Sequence, residues 1–206
     1  MIDQMVLKTQ QWLNSTYGNK TGFGSVQETG NTGWDTINAL IRALQIELGV
    51  AATANNFGSG TQSRFKSRWP NGIIQTAGDD NVNGIIQGAL WCKGYRVEYG
   101  GITLEFTDHV ADSIRQMKSD IGLNDTSSTV DVELMMALLS MKQFRLLSAY
   151  GGKTAIRGAQ QAINRGYKNY TGIIPTDGLY GREMNKALVQ VLQAVEGYTP
   201  VEATGN

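Results

Sequence analysis

Residues 181–198 read GREMNKALVQVLQAVEGY, and residues 33–50 read GWDTINALIRALQIELGV. Set against each other without a gap from Gly33 and Gly181, they share Ala39/Ala187, Leu40/Leu188, Leu44/Leu192, Gln45/Gln193 and Gly49/Gly197. Recurrence this dense marks an internal repeat, and a repeat defines the architecture before any single motif does. Ile37, Leu40, Ile41, Leu44 and Leu48 fall at i, i+3, i+4, i+7 and i+11, the apolar stripe of an amphipathic α-helix. Ala187, Leu188, Val191, Leu192 and Val195 repeat that stripe.

A more diverged copy, FTDHVADSIRQMKSDIGL, begins at Phe106. Each copy is preceded by another helical segment: LKTQQWLNSTYG from Leu7, GIIQGALWCKGY from Gly84 and IRGAQQAINRGY from Ile156. In these, Gln10, Gln87 and Gln160 are followed one turn later by Leu13, Leu90 and Ile163. Gly49, Gly94, Gly122, Gly166 and Gly197 are expected to close helices, where a left-handed residue is cheapest without a Cβ. A third helix is expected over Val132 to Ser140, with Asp131 as N-cap and Leu134, Met135, Leu138 and Leu139 on its inner face. Phe57 to Phe65 is its shorter counterpart in the first copy.

Polar, Gly- or Pro-containing stretches at 66–81 and 141–154 divide the chain into units 1–68, 69–142 and 143–206. Counted from Gln193, residue 206 arrives where the first copy is only entering its last helix. The expected fold class is therefore all-α: tandem small three-helix units, the third lacking its last helix. That third unit should leave Leu188, Val191 or Leu192 partly uncovered.

Composition narrows the function. The 206 residues carry eighteen Lys and Arg against eighteen Asp and Glu, so the formal charge is zero. Such a balance lacks the field that draws most proteins to nucleic acid or anionic membranes, and neither is expected as a partner. The single Cys92 and the single His109 cannot build a disulfide, a thiolate cluster or a multi-histidine zinc site. No metal and no cofactor are expected. MIDQMVLKTQQWLNSTYG at the start has no apolar run of the kind a secretory signal or a membrane span needs.

A helix ending in LQ-x-x-L, a loop with DG-x-x-G, a helix ending in L-x-x-LQ-x-x-x-G and a short closing helix resemble the peptidoglycan-binding repeat of bacterial cell-wall proteins. The third copy carries it best: AQQAINRGY, then Asp177-Gly178-Leu179-Tyr180-Gly181, then KALVQVLQAVEGY. The first copy lacks the loop carboxylate, and the second has GGITLEF in place of the loop glycines. The series of three is also similar to the amino-terminal region of Gram-positive and phage proteins that carry a C-terminal glycoside-hydrolase-like domain. That resemblance implies a non-catalytic module that binds peptidoglycan in an endolysin-like role. Its partner would be a covalently linked C-terminal catalytic domain, and its location the cell wall or extracellular space, reached by phage lysis or as part of a processed protein.

Tyr180, Asp177 and Arg182, with the earlier Tyr167 and Tyr170, form the candidate ligand-binding set, since tyrosines stack on sugar faces while the charged groups bond hydroxyls and amides. The opposing reading makes Asp177-Gly178 a tight turn and the tyrosines core residues. Copy one offers only Trp34, which opens a core helix, and Asp35, so wall binding is expected chiefly in copy three, with copies one and two as spacers. The recurring glutamines, including Gln45 and Gln193, are read as ties to loop backbone. Trp12 and Trp91 are read as partly buried core residues, and Cys92 as a buried small apolar group.

Catalysis would need facing carboxylates, an activated nucleophile or a metal, and no catalytic residue is specified. Asp79 and Asp80 read as a solvated turn, and Ser113 lies four residues after His109 without a third orienting group. Three functions stay open: a wall-binding module, a structural module that packs against a partner, and a muralytic hydrolase.

Overall fold

The computed structural model describes residues 2–75, 79–97 and 100–206. Among them the chain is all-helical: α1 (Gln4–Tyr17), α2 (Trp34–Glu47), α3 (Ser59–Arg68), α4 (Asp80–Cys92), α5 (Asp108–Ile121), α6 (Val132–Leu138), α7 (Thr154–Thr171) and α8 (Arg182–Val195). A 3₁₀ turn covers Ser148–Tyr150. The one extended pairing among these residues is an isolated antiparallel bridge between Ile73 and Val130.

Local signals set most of the boundaries. Asp3 caps α1 by accepting from the amides of Met5 and Val6 at 2.8 and 3.2 Å. Asp131 caps α6 through the Leu134 amide at 2.7 Å, as the sequence implies, although the helix stops at Leu138. Side-chain oxygens here satisfy amides that have no partner inside the helix. Gly49, Gly94, Gly122 and Gly197 all take positive φ just past a helix.

Gly166 is different. It lies inside α7, which continues to Thr171 and closes at Gly172 with φ 65°. Tyr167 and Tyr170 are therefore helical rather than part of a loop. The short closing helix of copy one also sits later than expected, at Ser59–Arg68, so the first boundary stretch begins inside α3. Asp79 and Asp80 form no free turn: Asp79 caps α4 through the Val82 amide, and Asp80 opens that helix. Residues 76–78 of that boundary stretch lie outside the described residues.

The chain divides into two compact units, one of 1–114 with 128–141 and the other of 115–127 with 142–206, the division falling within α5. In the first, α4 packs on both α1 and α2. Leu13, Ile37, Leu40, Leu44, Phe65, Ile85, Leu90, Val110, Ile114 and Leu138 are fully buried there. Two glycines let α4 approach so closely. A Cβ on Gly84 would stand 2.6 Å from the Trp12 ring, and one on Gly88 would stand 2.5 Å from Thr9 Cγ2. The division of the sequence by recurrence and the division by compaction thus differ, because α4 opens the second repeat yet completes the core of the first.

In the second unit α7 and α8 enclose a small core of Ile163, Ile174, Met184 and Ala187, with Tyr167 and Val191 packed against it. The end of α5 is tied to α7: Asn164 Nδ2 donates to Ile121 O at 3.0 Å and Gln161 Nε2 to Asp120 O at 2.9 Å. Asp120 also pairs with Arg157 at 2.7 Å.

Lys118 stands where the other two copies have Gln45 and Gln193. It is buried, and its ammonium donates to Asp125 Oδ2 at 2.5 Å and Ser127 Oγ at 3.1 Å. Burial pushes the Asp125 carboxyl upward. The hydrogen bonds from Lys118 and from the Ser127 amide and hydroxyl outweigh that, so its pKa lies below the ordinary value. A carboxylate depressed on folding contributes stability above its unfolded pKa and loses that contribution as pH falls through the folded value. Acid titration followed by hydrogen exchange at 118–127 should show this loop opening below the normal Asp range. Asp125→Asn should abolish that pH-linked step, and an unchanged acid profile in the variant would place the linkage elsewhere.

Candidate functional site: a recurring cleft

The architecture that positions the site is one device used three times. Gln10 is buried; its Oε1 accepts the Gly30 amide at 2.8 Å while its Nε2 donates to Asn31 O at 3.2 Å and Thr36 Oγ1 at 2.9 Å. Gln160 repeats this, accepting from the Gly178 amide at 2.9 Å and donating to Leu179 O and Asp177 Oδ1 at 3.0 Å each. Gln87 accepts from the Thr103 amide at 3.0 Å and donates to Glu105 O and Thr103 Oγ1 at 2.8 Å each. One primary amide with a donor and an acceptor end pins a tight loop at both a carbonyl and an amide.

The second helices carry a parallel device. Gln45 accepts the Ala54 amide at 2.7 Å and donates to Asn56 O at 2.8 Å. Gln193 accepts the Gly205 amide at 3.0 Å. The recurring glutamines are thus ties to loop backbone, as their position on mostly apolar faces implies. A further tie escaped sequence reasoning. Asn14 and Asn164, one turn after Gln10 and Gln160, bracket Val26 and Ile174 by accepting the amide and donating to the carbonyl of each. The signal is Gln-x-x-x-Asn, present in copies one and three and broken by Trp91 in copy two.

Each pinned loop in copies one and three leaves an open cleft against the start of the next helix. In copy one, Gln10, Gln27, Thr29, Asn31, Gly33, Trp34, Asp35 and Thr36 line about 240 Å³. In copy three, Gln160, Ile174, Pro175, Asp177, Leu179, Gly181, Arg182, Glu183 and Met184 line about 260 Å³. The two correspond position by position: Thr29 with Asp177, Asn31 with Leu179, Gly33 with Gly181, Trp34 with Arg182, Asp35 with Glu183.

Of the residues singled out from sequence, Asp177 and Arg182 line the copy-three cleft. Asp177 Oδ1 is held by Gln160 and by the Leu179 amide at 2.9 Å. Tyr180 is 58% exposed, and its hydroxyl donates to Asn185 Oδ1. Tyr167 leans on the Ile163–Met184 core. Tyr170 is half-buried on α7, and its backbone carbonyl accepts from Gln190 Nε2 at 3.0 Å. Two of the five therefore meet at the cleft, one stands exposed in its loop, and two lie on α7.

Copy one differs from expectation. Trp34 is 61% exposed on the rim of its cleft, so it is not the core residue that its place at a helix start implied. Tertiary packing, and not the place at a helix start, decides which way such a residue points. Adjoining this cleft through Gln27 and Asp35 is a polar hollow of about 300 Å³, lined also by Ser25, Asn38, Arg42 and Asn55. Asn38 Oδ1 is buried there without a hydrogen-bond partner. Arg42 crosses over the Phe23 ring and donates to Asn55 Oδ1. Burial lowers its pKa, with Asp35 acting in the opposite direction.

Other residues named from sequence have structural roles. Ser113 Oγ donates to Arg96 O, and His109 is exposed. Trp12 is half-buried and Trp91 buried. Cys92 is buried, which pushes its thiol up to about 11 despite a bond with Thr32. Among the described residues no group of three His, Cys, Asp or Glu side chains is placed to hold a metal, and no helix is long and apolar enough to cross a membrane.

The full chain is similar to two Bacillus subtilis (strain 168) proteins, each known only as an uncharacterized protein: YbfG, 47% identical, and FadG, 41% identical. Each alignment takes in 100% of this chain, which spans 27% of YbfG and 35% of FadG. No solved structure matches it. Residues 3–84, which hold the copy-one cleft and its exposed tryptophan, match the family described as the FadG/YbfG, PGDB-like domain, a peptidoglycan-binding-like fold of the binding rather than the catalytic kind.

Proposed function

We propose that the chain is a non-catalytic module that binds peptidoglycan through the recurring cleft, in copies one and three. The observation that carries this reading is the cleft itself: the same glutamine-pinned loop and the same lining positions occur twice, with the exposed Trp34 lining the first cleft and the exposed Tyr180 on the loop of the second. A flat ring next to carboxylate, amide and guanidinium groups suits a sugar face with N-acetyl and hydroxyl substituents, or a stem peptide. The match of residues 3–84 to a peptidoglycan-binding-like domain supports the same ligand.

Glu183 pairs with Lys142 at 3.2 Å, and Asp177 is engaged by its own loop, an arrangement that supports the non-catalytic reading. Attachment of a linked catalytic domain to the bacterial wall is the role we assign to the module. The longer relatives, of which this chain spans only a part, are consistent with it.

Co-sedimentation with purified sacculi tests the reading. The chain should pellet at moderate salt without lowering turbidity or releasing soluble muropeptides. Trp34→Ala and Tyr180→Ala should each weaken binding several-fold at unchanged helix content, since an aromatic contact typically contributes on the order of 1 kcal/mol. Failure to pellet overturns the ligand, muropeptide release overturns the non-catalytic role, and unaltered binding by both variants moves the site away from the clefts.

A further inference from the structure

The second unit presents an apolar face that its counterpart in the first unit keeps covered. Leu40 and Leu44 of α2 are fully buried, and Leu40 Cδ2 lies where a Cβ on Gly88 of α4 would meet it at 3.4 Å. Their equivalents on α8, Leu188 and Leu192, are 40% and 60% exposed, and Val195, one turn on, is 66% exposed. On the neighbouring α7, Ala155, Ala159, Ala162 and Gly166 are all exposed, and a Cβ on Gly166 would meet nothing within 4 Å. By the Gln10/Gln160 alignment, Ala159 and Ala162 stand where α1 has Thr9 and Trp12, the two residues that receive Gly88 and Gly84 of α4.

The complementarity is reversed between the two units. In the first, a bulky α1 surface meets a helix with glycines at the contact; in the second, α7 offers small residues and α8 offers large ones. A helix like α4 would leave gaps over Ala159 and Ala162, whereas a helix like α8 would fill them. We propose that this face binds a second copy of the chain, α8 of each copy packing antiparallel on α7 of the other about a two-fold axis. Both halves of such an isologous contact are satisfied at once.

The register follows from the spacing. Leu188, Leu192 and Val195 on α8 fall at i, i+4 and i+7, and Ala162, Ala159 and Ala155 run back along α7 by three and then four residues, over the same two-turn span. With Leu188 on Ala162, Leu192 meets Ala159 and Val195 meets Ala155. Glu196 then reaches the exposed Lys153 at the start of the facing α7, where opposite charge and the helix dipole both favour a carboxylate. Large side chains seated on small ones bring helix axes close and bury the exposed leucines.

The inference is independent of the ligand reading. Sedimentation equilibrium of the wild-type chain from low micromolar to sub-millimolar concentration should show a monomer–dimer equilibrium. Leu192→Lys and Ala162→Lys, both at exposed positions, should be monomeric over the same range with wild-type circular dichroism. Hydrogen exchange of amides in 185–195 should slow as wild-type concentration rises and not in either variant. A wild-type chain that stays monomeric at all concentrations overturns the proposal, and so does a dimer that survives both substitutions. Sacculus binding by the monomeric variants keeps this test separate from that of the clefts.

Discussion

Gln160→Ala should destabilise the second unit by about 2–4 kcal/mol, because it leaves the buried Gly178 amide and the part-buried Leu179 carbonyl without the side chain that bonds them. The side chain is only 2% exposed and bonds at both ends of the amide group. Gln10→Ala and Gln87→Ala should have comparable effects in the first unit, where those side chains are also buried. Gln161 provides the internal control. It is half-buried with one bond to Asp120 O, and Gln161→Ala should cost about 1 kcal/mol. Urea unfolding with hydrogen exchange at 176–181 measures both the size and the place of the effect. Equal losses at Gln160 and Gln161 would mean that water replaces the pinning amide.

A second large effect is expected where α4 crosses α1 and α2. Gly88→Leu must push either Thr9 or the whole of α4 outward, since even its Cβ would lie 2.5 Å from Thr9 Cγ2. Overpacking of this kind costs about 1–3 kcal/mol and more where backbone must move, and the first unit should melt earlier by that amount. Gly158→Ala on α7 supplies the opposite sign. No atom stands within 4 Å of its Cβ position, so the substitution should stabilise α7 by about 1 kcal/mol through helix propensity. Thermal melts of the two variants decide the matter, and a stabilising Gly88→Leu would contradict the packing described here.

The helices, most of their ends and the repeat were legible in the residues themselves, because each rests on local interactions. The i, i+3, i+4 stripe on α2 and α8, the aspartate cap at Asp131 and the positive-φ glycines act within a few residues of chain. The reading of Gln10, Gln87 and Gln160 as loop ties was also accessible, since a polar residue recurring on an apolar face needs a partner nearby. Gly166 shows the limit of local rules: a glycine costs a helix only about 1 kcal/mol, and the packing of Tyr167 on Ile163 and Met184 carries α7 past it.

Tertiary packing alone decided which side chains face outward and which faces are covered. Nothing local distinguishes Trp34, exposed on a cleft rim, from Trp91, buried in α4, because each direction depends on helices distant in sequence. Leu40 and Leu188 are identical residues at equivalent positions of their repeats. One lies under α4 and the other stands in solvent, since burial is a property of what arrives from elsewhere in the chain. Residue pattern determined the helices, their apolar stripes and the expectation that Leu188 or Leu192 is partly uncovered, as both are, whereas the clefts and the two compact units arose only when those stripes were packed against one another.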